Sequence, residues 1–496
     1  MLVHKFMMKA GANVLGSALS FVSLMVMTRY VGEQYGIMMW GWAFTAMFNA
    51  FSDLGFNSAN LRYLSKRDDN QNAYFSTFFA VKILLSLTVT IMSWVSVYLT
   101  YSNGSMDQES LGVCIVFVAY YLLYNIQTAL TVSYDGRMEN GKSSIALTIE
   151  YLVRSVLLII LALSGADPST LSSAYLVGII ISMASCLMML RNTGLRLVRP
   201  TFVKTYANFA APLAFSIMAI AIIEYLDKVL IGLYHNSMEV GYYTAAAGVM
   251  GAFTVLGTSL NNVLLPHLSR EGRSDREGVE HTLWMTEKYI TILLLPVLVF
   301  LLILGRPIAI VLFGSGYADS GDVLSIQSIH IYVFIFTGLM AQVLYSIDRS
   351  AIYLKASLIF VAVSLIGFIT LIPDTFMGFD MAGLGGVGAA TALAVAYTIF
   401  ASILVYMVRK ELGYTLCPGF WKLFAAGAAG GVFLLALDAM FSVNGLIQLA
   451  IVGIASEGVF FATLWALKGI NRDDFEFIKT ALSPKNLKES VTEEWK

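Results

Sequence analysis

Long apolar segments recur along the whole chain, and each can cross the ~30 Å hydrocarbon core of a membrane as a helix of about 20 residues. With 58% hydrophobic and 13% charged residues over 496 positions, the chain has more apolar side chains than the core of a soluble protein can bury. The sequence therefore predicts an all-α, multi-pass membrane protein with fourteen spans. The predicted spans are 11–29, 37–56, 76–99, 111–132, 143–163, 170–190, 210–233, 242–265, 288–305, 324–346, 352–372, 385–407, 421–440 and 445–467.

Positive charge is distributed unevenly among the loops between these spans. If the N-terminus lies in the cytoplasm, the loops on that side hold twenty-six of the 31 Lys and Arg residues, and the outside loops hold Arg29 and Arg306. Cytoplasmic loops of membrane proteins are enriched in Lys and Arg. The bias therefore indicates this orientation, with both termini cytoplasmic. The remaining three cations, Lys82, Arg154 and Lys228, fall inside spans.

Several classes of protein are excluded by the same sequence. A net charge of −1 argues against a nucleic-acid partner, and Cys114, Cys186 and Cys417 are too far apart to suggest a disulfide scaffold or a metal site. The segment 383–388 fits a dinucleotide-binding glycine pattern, but it opens a membrane span instead of following a strand. There is no Walker A sequence. The first apolar segment lacks a cleavage site and is expected to be a retained helix. No cofactor is predicted.

The span 210–233 carries three charged residues, Glu224, Asp227 and Lys228. On insertion scales a charge at mid-bilayer costs roughly 2.5–3.5 kcal/mol, so such residues face a water-filled cavity or one another. Glu224 and Lys228 are spaced i,i+4 on one helix face and are predicted to pair. Two interpretations stay open: the pair only positions the helix, or this face lines a polar route through the membrane.

Two further spans carry intramembrane charge. Glu150 and Arg154 are also i,i+4 neighbours, with Arg154 near mid-depth, and a purely structural pair is again the alternative. Lys82 lies about a third of the way up its helix, where its ammonium can instead reach the inner headgroups. Cations on three separate helices suit an anionic headgroup that is drawn into the membrane. Glu150, Glu224 and Asp227 then balance their charge or carry a coupling H⁺ or Na⁺.

An internal repeat relates the two halves of the chain. Gln34–Gly36 follows the first span as Glu239–Gly241 follows the seventh, and the second and eighth spans end in the similar segments Leu61–Lys66 and Leu265–Arg270. Because the first and seventh spans run in the same direction, the repeat is parallel. Two bundles related by an axis along the membrane normal, with a cavity between them, are therefore expected. The basic segment 191–206 is the predicted boundary.

Six short motifs occur in an order and spacing that resemble the multidrug/oligosaccharidyl-lipid/polysaccharide exporter superfamily, and within it the Wzx-type polysaccharide flippases. The residues that carry the resemblance are 29–36 (RYVGEQYG), 227–232 (DKVLIG), 239–246 (EVGYYTAA), 311–317 (VLFGSGY), 371–373 (LIP) and 385–392 (GGVGAATA).

The resemblance implies two six-helix lobes around a central cavity, followed by two C-terminal helices. The lobes are predicted at 1–195 and 196–415, the last two helices at 416–468, and a cytoplasmic tail at 469–496. The resemblance also implies movement of a lipid-linked oligosaccharide, carried on undecaprenyl or dolichyl phosphate or pyrophosphate, from the cytoplasmic to the outer leaflet of the cell membrane. Transport would proceed by alternating access and serve the assembly of surface polysaccharide or glycoconjugate.

Site residues and partners follow from the same resemblance. Family members commonly place cations in the cavity, and Arg154, Lys228 and Lys82 match that role by depth and helix. Arg29, at the outer end of the first span, would meet the headgroup late. The implied partners are the lipid-linked oligosaccharide, membrane lipid and glycan-assembly enzymes.

Two other functions remain as alternatives. A cation-coupled multidrug or small-molecule exporter would place acidic residues in its first lobe, but the first span has no carboxylate between Ala10 and Arg29. A membrane glycan polymerase or ligase would need a large outside loop with catalytic residues. The largest outside loop, 306–322, holds Arg306, Asp319 and Asp322 without a convincing acid–base or nucleophile set. We therefore do not expect an enzyme.

Overall fold

A computed structural model describes residues 2–66, 69–191, 193–271, 276–347, 349–441, 443, 445–470 and 474. Within these residues the chain forms fourteen long helices, two short ones and one small hairpin, and eleven of the helices are long and apolar enough to cross a membrane. The helices are α1 Leu2–Tyr30, α2 Glu33–Asn49, α3 Phe56–Leu64, α4 Gln71–Ser102, α5 Gln108–Gly136, α6 Asn140–Leu163, α7 Pro168–Leu190, α8 Val203–Tyr234, α9 Ser237–Glu271, α10 Arg276–Ile303, α11 Gly305–Phe313, α12 Ser320–Ser346, α13 Ser350–Leu371, α14 Gly385–Leu412, α15 Phe420–Met440 and α16 Leu446–Ala466. The strands Thr375–Phe376 (β1) and Phe379–Asp380 (β2) form the hairpin between α13 and α14.

Each of the fourteen predicted spans coincides with one of the long helices, but two regions differ from the prediction. The second span is interrupted: α2 ends at Asn49, and after a 3₁₀ turn at Ala50–Ser52 the chain resumes as α3. Gly55, the residue before α3, has φ +87°. The Asp53 carboxylate accepts a hydrogen bond of 2.8 Å from the Asn57 backbone N–H in the first turn of α3. The outside segment 306–322, expected to be a loop, contains the short helix α11. The tail prediction at 469–496 falls almost entirely outside the described residues.

The long helices pack into two lobes of six and one additional pair. In the first lobe α1 packs along α6, and α5, α6 and α7 pack on one another. In the second lobe α12 lies between α9 and α14, and α13 packs along α14. The last two helices, α15 and α16, pack together and against α10, where Gly427 and Gly431 of α15 face Leu295 and Val299. This arrangement confirms the predicted architecture.

The two lobes meet where α2 and α9 begin, through residues that the internal repeat makes equivalent. A Cβ atom on Gly36 of α2 would lie 1.8 Å from the Ser237 carbonyl oxygen and 3.2 Å from the Gly241 backbone nitrogen of α9. One turn later on α2, the Trp40 indole N–H donates to the Val229 carbonyl of α8 at 3.3 Å, and the Trp40 ring packs over Gly232. Contact between Gly36 and its repeat equivalent Gly241 is what an axis between parallel repeats produces. In this conformation the lobes are closed at this end, which the charge pattern predicts to be the outer one.

Candidate functional site

Arg154 lies on α6 of the first lobe, just past the middle of the helix, with 13% of its side chain exposed. Its guanidinium is 3.7 Å from a Glu150 carboxylate oxygen one turn earlier, and it donates a hydrogen bond of 3.2 Å to the Ser20 hydroxyl of α1. The rings of Tyr151 and Tyr175 lie 5.0 and 4.7 Å from the guanidinium carbon, so cation–π contacts add to its stabilisation. The predicted Glu150–Arg154 pair is therefore present, within an aromatic setting that the sequence did not indicate.

The Glu150 carboxylate is buried and held from the opposite side by another tyrosine. The Tyr120 hydroxyl of α5 donates to Glu150 Oε1 at 3.2 Å. Tyr120, Tyr151 and Tyr175 are the site residues that sequence reasoning missed. Tyr151 could have been found, because it is three residues before Arg154 and neighbours it on the helix surface. Tyr120 and Tyr175 come from other helices and left no local signal.

Arg154 opens into a cavity of about 710 Å³ between the two lobes. The walls come from α1, α2, α6 and α7 on one side and from α9 on the other, and they are mostly apolar with a line of serine hydroxyls on α1. Among the described residues that line this cavity, Arg154 is the one charged side chain. The cavity is lined by Val14, Ser17, Ala18, Ser20, Phe21, Ser23, Leu24, Met27, Tyr35, Met39, Tyr151, Arg154, Leu158, Tyr175, Thr244, Gly248, Gly251, Ala252 and Val255.

The chemistry of this cavity favours an anion with an apolar attachment. A guanidinium has five N–H donors. Arg154 uses one of them for the hydrogen bond to the Ser20 hydroxyl, and its distance to the Glu150 carboxylate, 3.7 Å, is too long for a hydrogen bond. Donors therefore remain for a phosphate, which arginine binds in bidentate fashion. The apolar walls suit the lipid chain of the same ligand, because such surfaces gain free energy when water is removed from them.

A second charged cluster lies in the second lobe, on α8. The Lys228 ammonium is 3.0 Å from Asp227 Oδ1 and donates a hydrogen bond of 2.8 Å to the backbone carbonyl of Glu224. Asp227 is 2% exposed and also accepts a hydrogen bond of 2.5 Å from the Tyr243 hydroxyl. The predicted pairing with the Glu224 carboxylate is thus replaced by Asp227, because the Lys228 side chain folds back over its own helix. Tyr243, whose ring lies 5.4 Å from the ammonium, was also missed.

The two clusters lie in different lobes and do not share one wall. Lys228 is not among the described residues that line the Arg154 cavity. Aromatic side chains lie between the clusters: the Tyr225 ring of α8 packs edge-on against Trp42 of α2, with centroids 5.3 Å apart. Contact of both Arg154 and Lys228 with one bound headgroup therefore needs a change in the arrangement of the lobes.

The other two predicted cations have partners of a different kind. Arg29 donates hydrogen bonds to the carbonyls of Val311 and Leu312 at the end of α11, the latter at 3.2 Å, and so ties the outer end of α1 to the second lobe. Lys82 is 2% exposed and donates a hydrogen bond of 3.0 Å to the Ser52 carbonyl, in the turn that interrupts the second span. The Lys82 ammonium therefore provides a hydrogen-bond donor to a backbone carbonyl at the helix break, and its side chain does not extend towards the lipid headgroups.

A protein-family model described as "Polysaccharide biosynthesis protein" matches residues 26–322, more than half of the chain. The chain belongs to this polysaccharide biosynthesis protein family. A comparison with curated protein sequences gives no significant match.

Solved structures of other proteins share the fold of this polysaccharide biosynthesis protein. One is titled lipid II flippase MurJ in an inward closed conformation; it is 15% identical, with a TM-score of 0.72 over 94% of this chain and 99% of that one. Another is titled as a MOP superfamily transporter from Pyrococcus furiosus; it is 13% identical, with a TM-score of 0.56 over 82% of this chain and 95% of that one. A multidrug-resistance MATE transporter in an inward-facing conformation is 13% identical, with a TM-score of 0.57 and the same coverage. These matches establish the fold.

Proposed function

We propose that the protein moves a lipid-linked oligosaccharide, carried on polyprenyl or dolichyl phosphate or pyrophosphate, from the cytoplasmic to the outer leaflet by alternating access. Membership of the polysaccharide biosynthesis family supports the glycan as substrate. The likeness to the structure titled lipid II flippase supports a lipid-linked form of it. The observation that carries the proposal is Arg154, a buried cation with free donors in an otherwise uncharged cavity between two lobes.

The headgroup phosphate binds Arg154 in this proposal. Its negative charge replaces the distant Glu150 partner, and the tyrosines around the guanidinium keep the cation in place. A cation held in a low-dielectric site attracts a phosphate more strongly than the same cation in water. The lipid chain leaves along apolar walls, while the α1 serines offer hydroxyls to the sugar. The cavity thus provides a polar route for the part of the substrate that the bilayer excludes.

The other predicted site residues act at later steps. Arg29 is released when the outer ends of the lobes separate, because its hydrogen bonds to α11 span that contact. It then becomes available to the headgroup near the outer surface, and Lys228 becomes available when its pairing with Asp227 is relaxed. Asp227, Glu224 and Glu150 balance these charges or carry H⁺ or Na⁺. Lys82 stabilises the break between α2 and α3 through its hydrogen bond to Ser52, and it becomes available to the headgroup when this hydrogen bond opens during the transport cycle.

The remaining assignments complete the proposal. The protein is a transporter and not an enzyme, it lies in the cell's inner or cytoplasmic membrane, and both termini are cytoplasmic. The lobes divide at 195/196, helices 416–468 form a separate pair, and glycan-assembly enzymes supply and consume the substrate. These points are supported by the distribution of Lys and Arg among the loops and by the family match.

Export of cationic drugs is the weaker candidate. The MATE transporters share the fold at TM-scores near 0.57, and fold alone does not fix a substrate. A cavity that binds a cation needs a carboxylate on its wall, whereas the charged side chain on the wall described here is Arg154. The sign of this charge favours an anionic substrate.

The proposal is tested with Arg154→Gln in a strain that lacks the chromosomal copy. We expect surface glycan to be lost and lipid-linked glycan to accumulate on the cytoplasmic leaflet, while the protein remains in the membrane. Arg306→Gln is the matched control, because Arg306 is an exposed arginine paired with Asp319 and Asp322 outside the cavity. Full surface glycan in the Arg154 variant would contradict the proposal.

A further inference from the structure

A second cavity, of about 310 Å³, is lined by residues between Lys288 and Gly469 and shares no lining residue with the Arg154 cavity. It is formed where the beginning of α15 meets α10 and the segment after α16, on the side that the charge pattern assigns to the cytoplasm. Three lysines, Lys288, Lys422 and Lys468, line it together with Cys417–Gly419 and Gly469. The cavity therefore gathers cations from three separate parts of the chain at the level of the inner headgroups.

One of these lysines is already paired with an anion from the chain itself. The Asp474 carboxylate lies 2.6 Å from the Lys288 ammonium and accepts a hydrogen bond of 3.0 Å from the Tyr289 hydroxyl. By contrast, the Lys422 ammonium donates to a neutral group, the Lys468 carbonyl, at 3.2 Å. Among the described residues no carboxylate lies within 4 Å of the Lys422 or Lys468 ammonium. Within the part of the chain that the structure describes, two positive charges at this cavity therefore have no carboxylate at ion-pair distance.

The backbone adds to this positive field. Helix α15 begins at Phe420 after Gly419, which has φ +82° and offers no side-chain cap. The Phe420 N–H donates to the Cys417 carbonyl at 3.0 Å and the Lys422 N–H to the Gly419 carbonyl at 2.8 Å, so the helix contributes through its dipole, which is positive at this end. A 21-residue helix directed at a lysine-lined cavity has the chemistry of a phosphate site.

The surroundings of the cavity distinguish a lipid from a soluble anion. Trp421 lines the cavity and is 64% exposed, and Phe424, three residues later on the same helix surface, is 41% exposed. Aromatic side chains at this depth are typical of the membrane–water interface. Leu416 adds a further exposed apolar side chain. Acyl chains attached to a phosphate in the cavity would run along these side chains.

We propose that this cavity binds the phosphate headgroup of an anionic phospholipid from the inner leaflet, with Lys422 and Lys468 as its ligands and the positive end of the α15 dipole beside it. Basic pockets between membrane helices on the cytoplasmic side bind such headgroups. The site is separate from the Arg154 cavity and does not depend on which substrate the protein transports. The bound lipid joins α15 to the segment after α16.

The test is native mass spectrometry of the full chain with phosphatidylglycerol or phosphatidylcholine. We expect the wild type to retain phosphatidylglycerol preferentially, and Lys422→Gln/Lys468→Gln to lower its affinity about tenfold or more, given the contribution of each lysine near an anionic headgroup. Lys355→Gln/Lys410→Gln is the matched control, since it removes the same charge from two exposed positions on the same side of the membrane.

Four results would overturn the proposal. These are an unchanged phosphatidylglycerol affinity in the Lys422/Lys468 variant, an equal loss in the control, equal retention of both lipids by the wild type, and displacement of the lipid by millimolar inorganic phosphate. The last result would assign the cavity to a soluble anion. Loss of phosphatidylglycerol confined to the Lys422/Lys468 variant supports the lipid site.

Discussion

The closed contact between the lobes at the beginning of α2 and α9, the outer end in the proposed orientation, depends on Gly36, and replacing this glycine should shift the conformational equilibrium. In Gly36→Ala the new Cβ would lie 1.8 Å from the Ser237 carbonyl oxygen, where ordinary contacts are 3.4–4 Å. The obstacle is backbone, so no rotamer change relieves it. Filling a packed contact costs about 1–3 kcal/mol, which corresponds to a roughly 5- to 150-fold shift away from the outer-closed state. A substitution that collides with rigid backbone belongs in the upper part of that range.

The shift is measured by labelling a cysteine from outside the cell with a membrane-impermeant thiol reagent. Thr244→Cys is a suitable reporter, because Thr244 is buried, lies one turn from Gly241 and lines the Arg154 cavity. The three native cysteines are buried and give little background. We expect Gly36→Ala to raise the labelling rate of this reporter thiol at least about fivefold, by the same arithmetic.

The matched control is Gly251→Ala on α9, where a Cβ would meet nothing within 4 Å. Labelling in this variant should equal that of the reporter alone. An unchanged rate in Gly36→Ala, or an equal increase in Gly251→Ala, would refute the assignment of Gly36 to the outer closure.

Three further predictions concern the hydrogen bonds of Arg29, the Asp227–Lys228 ion pair and a helix cap. Arg29→Ala removes hydrogen bonds to the end of α11 and should raise labelling of the same reporter less than Gly36→Ala does; no increase would remove Arg29 from the closure. Asp227→Asn leaves the Lys228 cation without its carboxylate and should lower the free energy of unfolding in detergent by about 3 kcal/mol. The double variant Asp227→Asn/Lys228→Gln should recover part of this loss. Equal stability of the wild type and both variants would contradict the pairing. Asp167 caps α7, and hydrogen bonds from Ser169 and Thr170 lower its pKa to about 2. Its stabilising effect is therefore present above the ordinary pKa of 3.8 and lost as the pH falls towards 2. Asp167→Ala should lower the free energy of unfolding by about 1 kcal/mol at pH 7, and a difference that persists at pH 2 would be inconsistent with the carboxylate as its source.

Most of the fold was predictable because every helix that crosses the hydrocarbon core must be about 20 residues long and mostly apolar. Length, apolar character and the distribution of Lys and Arg placed all fourteen long helices. The break between α2 and α3 was not predicted, because the backbone of Gly55 and Leu54 enters the left-handed region at φ +87° and +46° inside the segment 37–56, which is long and apolar enough to be interpreted as one span. The repeat related Gly36 to Gly241, but only coordinates show that the two glycines touch.

The candidate site was predictable only where its partners share a helix. The Glu150–Arg154 pair follows from i,i+4 spacing, whereas Tyr120 and Tyr175 approach from α5 and α7 and depend on how the helices pack. The same spacing rule gave the wrong carboxylate for Lys228. A lysine can fold back over its own turn, so Asp227, its immediate neighbour, provides the carboxylate and Glu224 a carbonyl. Sequence spacing identifies which residues are near each other but not which atoms meet.

The central claim is that Arg154 draws an anionic lipid headgroup through the membrane. It is tested most directly in proteoliposomes that contain the purified protein and a lipid-linked oligosaccharide, with a lectin or glycosidase added outside to detect glycan reaching the outer leaflet. Wild-type protein should transfer inner-leaflet glycan faster than protein-free vesicles do, and Arg154→Gln should reduce this rate to the protein-free level while Arg306→Gln does not. Equal transfer by wild type and Arg154→Gln, or no transfer by the wild type, would contradict the account.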